Sequence, residues 1–185
     1  MSEQQEGLAT EVLNACRRAG LFLAGAESLT GGLLADAFVS VPGASDVFLG
    51  SAVTYDIEAK ASILGVDSAL LAAHGAVHPK VAEQMALGAA KVYTQPGREG
   101  RVVGMATTGV AGPGPDGDQP AGLVYIALAL PIGFLPQSQA AGLVVDGYHL
   151  RSFELRLTGS RQEVRRGTVS QVLFRLAQSL GASVR

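Results

Sequence analysis

The chain has 185 residues, 48 % apolar and 16 % charged, with a formal net charge of −2. That length is one domain's worth and suffices to bury roughly 70 % of the unfolded chain's surface, so the expectation is a single globular domain over residues 1–185 that needs no staples. The charge balance gives no basic surplus for a nucleic-acid or membrane partner, a lone cysteine (Cys16) excludes an internal disulfide, and no apolar run approaches the ~20 residues of a membrane span. The N-terminus, Met1 to Glu6, is acidic and polar and lacks the basic and apolar regions of a signal peptide. Together these features lead us to expect a cytoplasmic protein.

Apolar residues at helical spacing from Gly7 to Arg18 predict a first helix, with Gly20 as its stop. Leu21 to Ala26 reads as a buried strand. The segment Glu27-Ser28-Leu29-Thr30-Gly31-Gly32 follows, and a helical stretch runs from Leu33 to Val39. Pro42-Gly43 marks a turn, and Val47 to Thr54 reads as a second strand. Asp56 is placed to cap a helix that runs to Leu64 and ends at Gly65. A short helix spans Ser68 to Ala73, and Pro79 opens a long one reaching about Tyr93. Val102 to Thr107 reads as a strand, followed by a Gly-rich loop from Gly109 to Gly117. Leu123 to Leu130 and Leu143 to Leu157 are strand-like, the latter long enough to bend near Gly147. Gly159 to Leu180 is the closing helix. Strands alternate with helices, and one pair is joined by only a short loop. The fold class expected is therefore α/β, with a mixed sheet.

Four segments carry chemistry. The first is the strand-to-helix corner holding Ser28. A helix start offers free N–H groups and a positive dipole end, so Ser28 can be a nucleophile with Thr30, Gly31 and Gly32 around an oxyanion; the plainer reading of these residues alone is that Ser28 or Thr30 is a helix cap. The second is Tyr55 with Lys60. Lys60 falls near the start of the Asp56-capped helix, where the dipole, and burial if it occurs, lower an amine's pKa; the alternative is an exposed surface lysine. The third is Thr107 to Pro113, whose Thr108, Gly109 and Gly112 can bind an anion or make only a turn. The fourth is the start of the last helix. Arg161 and Arg165 lie on the line of Thr168, Val172 and Leu176 and suit a phosphate, whereas Arg166 points elsewhere; the alternative is a solvated basic patch. The three histidines, His74, His78 and His149, lack metal-ligand spacing, so no metal site is expected. A histidine-assisted serine remains open.

In chain order, Ala26 to Gly32, Pro42 to Ser45, Thr54-Tyr55, Glu58 to Lys60, Leu64 to Val66, His74 to Val77, Thr108 to Pro113, Pro120 to Gly122 and Gly159 to Arg161 resemble the CinA C-terminal domain family. The resemblance implies a three-layer α/β/α sandwich with a mixed, mostly parallel sheet, and a homodimer. It implies a nicotinamide-nucleotide amidase that converts nicotinamide mononucleotide to nicotinate mononucleotide and ammonia without cofactor or metal. On these positions Ser28 is the nucleophile and Lys60 the base, with Tyr55, Thr108 and Arg161 in support. The chain departs from the family pattern at Leu29, Ile57, Gln119, Ala121 and Ser160. Many relatives carry a further N-terminal domain resembling molybdopterin-binding proteins. No counterpart is expected here, and its pyrophosphatase activity does not carry over. A catalytically silent nucleotide-binding module and a dimeric interaction domain are the competing readings.

Overall fold

The computed structural model describes residues 2–134 and 143–182; positions 1, 135–142 and 183–185 of the expected domain lie outside the described residues. Helix α1 (Glu3–Ala19) begins four residues before the periodic stretch because Ser2 and Gln5 form a reciprocal capping box, and it ends on Gly20 in the left-handed region. Strand β1 (Phe22–Glu27), helix α2 (Leu33–Val39), strand β2 (Phe48–Val53) and helix α3 (Ile57–Leu64) follow. Helices α4 (Ser68–His74) and α5 (Pro79–Tyr93) then lead to strand β3 (Val102–Gly109) and strand β4 (Leu123–Pro131). The stretch expected to be one bent strand is a hairpin, β5 (Leu143–Val145) and β6 (Tyr148–Arg156). Asp146 and Gly147 both take positive φ between them. An Asp-Gly pair is the preferred two-residue turn because its twist matches that of the strands it joins. Helix α6 (Arg161–Ser179) closes the chain.

The strand order is β2-β1-β3-β4-β6-β5. The sheet is mixed, as expected, but parallel pairing does not predominate. β1 pairs parallel with β2 and β3, whereas β3–β4, β4–β6 and β5–β6 are antiparallel. The cause is local: β3 and β4 are joined by a Gly- and Pro-rich loop without the helix a crossover usually carries, and β5 and β6 by a turn.

One face of the sheet carries α1, α2 and α6, packed through Val12, Leu13, Phe38, Val172 and Leu176. The other carries α3, α4 and α5, through Leu64, Leu71, Met85 and Ala86. The result is the three-layer sandwich. Burial of a side chain such as Phe38, which is wholly inside, is worth about 2–3 kcal/mol. On the second face α5 lies against backbone: a Cβ at Gly104 would strike the Ala86 carbonyl oxygen, and one at Gly88 that of Leu64. From β1 the chain runs over one face, through α2, to β2. It then crosses the other face, through α3 to α5, and returns on the far side of β1 as β3. Such a switch opens a crevice beyond the carboxyl ends of β1 and β3.

Candidate active site

A cleft of about 600 Å³ occupies that crevice. The end of β1 brings Ser28 and Leu29, the turn after β2 brings Tyr55, and α3 brings Ile57 and Lys60. The α4–α5 link forms one wall with Ala76 and Val77, and the loop from Thr108 to Asp116 forms another. Arg161 stands at the rim.

Lys60 and Ser28 meet at the floor, with Nζ 3.2 Å from the serine Oγ. Lys60 is 1 % exposed, which excludes the surface-lysine reading. Its helix is capped by Asp56, whose carboxylate accepts from the N–H groups of Glu58 and Ala59. The lysine therefore stands in the first turn or so and reaches inward. There its Nζ donates to the carbonyl oxygens of Thr54 at 2.6 Å and Tyr55 at 3.3 Å. Burial pushes its pKa down to about 8, and the nearby Asp56 carboxylate works in the opposite sense. A neutral amine can use its two N–H bonds on those carbonyls and turn its lone pair to the Ser28 hydroxyl. This is the arrangement a general base requires.

No histidine lines the cleft. His74 and His78 stack on each other at 4.6 Å between ring centroids, and His78 Nδ1 caps α5 by accepting from the Lys80 N–H. His149 is buried on β6, whose first residues pair with the far end of β4 from the cleft. These positions leave no histidine beside Ser28.

The arrangement corrects several expectations. Thr30 is fully buried, and its hydroxyl pairs with that of Thr107 at 2.8 Å, so it faces the interior of the protein. Gly31 donates its N–H to the Ser28 carbonyl, and Gly32 donates its N–H to the Glu27 carboxylate. Neither N–H is free for an oxyanion, and neither residue lines the cleft. Thr108 does line it, but its hydroxyl donates to the Ala76 carbonyl at 2.8 Å and so fastens the two walls together. Arg165 is half-buried and its donors are taken by the protein itself: Nε donates to the Leu29 carbonyl, Nη2 to the Thr30 carbonyl and Nη1 to Gln162. It anchors α6 to the serine corner. The line it shares with Thr168, Val172 and Leu176 does point inward, as its spacing indicated.

Arg161 is the arginine that reaches the cleft. Its Nη1 donates to the Gly112 carbonyl at 2.6 Å and its Nη2 to the Tyr55 hydroxyl at 3.0 Å. The remaining N–H bonds of the guanidinium are uncommitted among the described residues. Gly109 and Gly112 lie in the cleft wall. Tyr55 contributes twice, its carbonyl to Lys60 and its phenol to Arg161. Leu29, Ala111 and Gly112 line the cleft, and their N–H groups make no backbone hydrogen bond among the described residues. Of the departures from the family pattern, Ile57 lines the cleft, whereas Gln119 does not and pairs its backbone with Asp116.

Fold and site together define an α/β protein with a buried serine–lysine pair at a sheet switch point. Comparison with known proteins supplies the family. The model of the CinA C-terminal domain matches residues 5–180. A CinA-like protein of Myxococcus xanthus is 38 % identical over 179 residues, which is 96 % of this chain and 38 % of the relative. A CinA-like protein of Frankia casuarinae is 52 % identical over 116 residues, 63 % of this chain and 25 % of the relative. The chain thus spans well under half the length of these curated relatives. The crystal structure of the competence/damage inducible protein CihA from Agrobacterium tumefaciens superposes with a TM-score of 0.80 at 32 % identity, covering 98 % of each chain. This chain belongs to the CinA C-terminal domain family.

Proposed function

We propose that the cleft hydrolyses the carboxamide of nicotinamide mononucleotide, giving nicotinate mononucleotide and ammonia. The observation that carries this reading is the buried Lys60 amine 3.2 Å from the Ser28 hydroxyl. Neutral Lys60 takes the Ser28 proton while Oγ bonds to the amide carbon, whose carbonyl becomes an oxyanion. The uncommitted N–H groups of Leu29, Ala111 and Gly112 are the donors available to it. The resulting Lys60 ammonium gives its proton to the departing nitrogen, the C–N bond breaks, and ammonia leaves an ester on Ser28. Water then loses a proton to Lys60 and attacks that ester. The Ser28–carbon bond breaks, the proton returns to Oγ, and the pyridine carboxylic acid is released, giving its remaining proton to water as it ionises. Every proton is accounted for by Lys60, Ser28 and water.

Arg161 supplies the charge for the 5′-phosphate. Its exposed guanidinium is held in place by Gly112 and Tyr55, so the phosphate meets an oriented donor. Binding remote from the reacting carbon then helps position the amide. Tyr55 serves through its carbonyl on Lys60 and its phenol on Arg161. The protein is further proposed to act as a cytoplasmic homodimer. The test is ammonia release from nicotinamide mononucleotide, with Ser28→Ala as control: wild-type release and a silent variant support the reading. Equal release by both, or none by the wild type, overturns it.

A further inference from the structure

Glu27, the residue before Ser28, has no part in the scheme above, yet it is the most heavily bonded buried carboxylate among the described residues. It is wholly inside the protein. Its Oε2 accepts from the N–H groups of Gly32 at 2.9 Å and Leu34 at 3.0 Å. Its Oε1 accepts from the Ala35 N–H at 2.9 Å and the Ser51 hydroxyl at 2.9 Å. Among the described residues no lysine, arginine or histidine lies within salt-bridge distance of it. The start of α2 is thus closed by a carboxylate of this chain. Burying a charge without a cation is tolerated because three helix-end N–H groups and one hydroxyl take its lone pairs.

The backbone of Glu27 continues the connection. Its carbonyl accepts from the Thr54 N–H at 3.0 Å, and the Thr54 carbonyl holds Lys60 Nζ at 2.6 Å. On the other side, the turn made by Ser28 is closed by the Gly31 N–H on the Ser28 carbonyl and the Leu33 N–H on that of Thr30. Residues 28–31 are therefore a short span between two fixed points, the end of β1 and the first turn of α2. The Glu27 carboxylate spans the same gap directly. Fixing both ends leaves Ser28 little freedom to move away from Lys60.

We infer that Glu27 is a positioning residue that sets the Ser28–Lys60 geometry by locking the first turn of α2 to the end of β1. The inference rests on the proposed nucleophilic role of Ser28. It predicts that reactivity depends on the carboxylate's bonds to Gly32, Leu34 and Ala35 and is indifferent to its bond to Ser51. Glu27→Gln keeps the shape, but an amide NH2 facing an N–H group cannot accept, so at least one of the three helix-end bonds is lost. Ser51→Ala loses only the strand hydroxyl.

The test compares wild type, Glu27→Gln and Ser51→Ala by three readouts: kcat and KM for ammonia release from nicotinamide mononucleotide, the rate at which a fluorophosphonate labels Ser28, and Tm. The expected results for Glu27→Gln are a fall in kcat and in labelling rate of about tenfold, and a KM within about threefold. Ser51→Ala should keep kcat and labelling within about twofold even where Tm drops. Full kcat and labelling in Glu27→Gln, or an equal loss in Ser51→Ala, overturns the inference. Labelling separates this from the choice of substrate. If the wild type is labelled at Ser28 but releases no ammonia, the substrate is wrong, and the two labelling rates still decide the role of Glu27. A wild type that resists labelling removes the nucleophile and the inference with it.

Discussion

Replacing Asp56 by Asn removes one negative charge from the neighbourhood of Lys60 and leaves almost everything else in place. Asparagine caps a helix about as well as aspartate, so the bonds to the Glu58 and Ala59 N–H groups survive. The carboxylate favours the lysine's charged form and opposes the effect of burial, so its removal must lower a pKa already pushed down to about 8. With the wild-type midpoint there, the neutral amine is about one-tenth of the enzyme at pH 7 and about nine-tenths at pH 9, so kcat/KM should rise about tenfold between them. The downward move in the variant would raise the neutral fraction at pH 7 and leave the alkaline plateau unchanged. The assay is initial-rate ammonia release across pH 6–10 for both proteins. A wild-type profile that is flat from pH 7 to 9, or a variant midpoint that moves upward, would refute the role given to Lys60.

The same depressed pKa has a signature in stability. Between about pH 8 and the ordinary lysine value of 10.5 the unfolded chain holds a proton that the folded one has released, so stability rises with pH through that window. The full gain from this group is about 3 kcal/mol, and urea unfolding of wild type against Lys60→Met at pH 7.5 and pH 10 should show a pH-dependent difference in this direction. The two arginines should separate cleanly. Arg161→Ala should raise KM for the mononucleotide about tenfold or more while leaving the riboside, which lacks phosphate, nearly unaffected. Arg165→Ala should instead lower unfolding stability by about 1–3 kcal/mol, because the Leu29 and Thr30 carbonyls lose their partner, with no preference between the two substrates.

The parts of the fold that local chemistry dictates were legible in the chain. Asp56 and Gly65 bound α3, and Pro79 opens α5. The β5–β6 hairpin is signalled by Asp146-Gly147, but the apolar pattern continues on both sides and reads as one bent strand. Ser28 and Lys60 were both singled out. What brings them together is the pairing of β1 with β2, a contact between segments that no local pattern specifies. Thr30, Gly32 and Arg165 depart from their expected roles for a shared reason. Each is a polar group of the type that binds ligands, and each is used up by the protein itself. The decisive competitor was Glu27. A buried carboxylate that fills its own helix end looks, in sequence, like a charged residue at the edge of a strand; the signal that could have found it is its place two residues beyond Gly25, in an otherwise apolar run.

Trapping with hydroxylamine tests the central claim most directly. An ester between Ser28 and the pyridine carbonyl should be intercepted, so wild-type enzyme with nicotinamide mononucleotide and hydroxylamine should yield the hydroxamate of the mononucleotide at the expense of the acid. Ser28→Ala and Lys60→Met should yield neither product. Hydroxamate from Ser28→Ala at the wild-type rate, or acid from the wild type with no hydroxamate at saturating hydroxylamine, would contradict a serine ester formed with the help of a buried lysine.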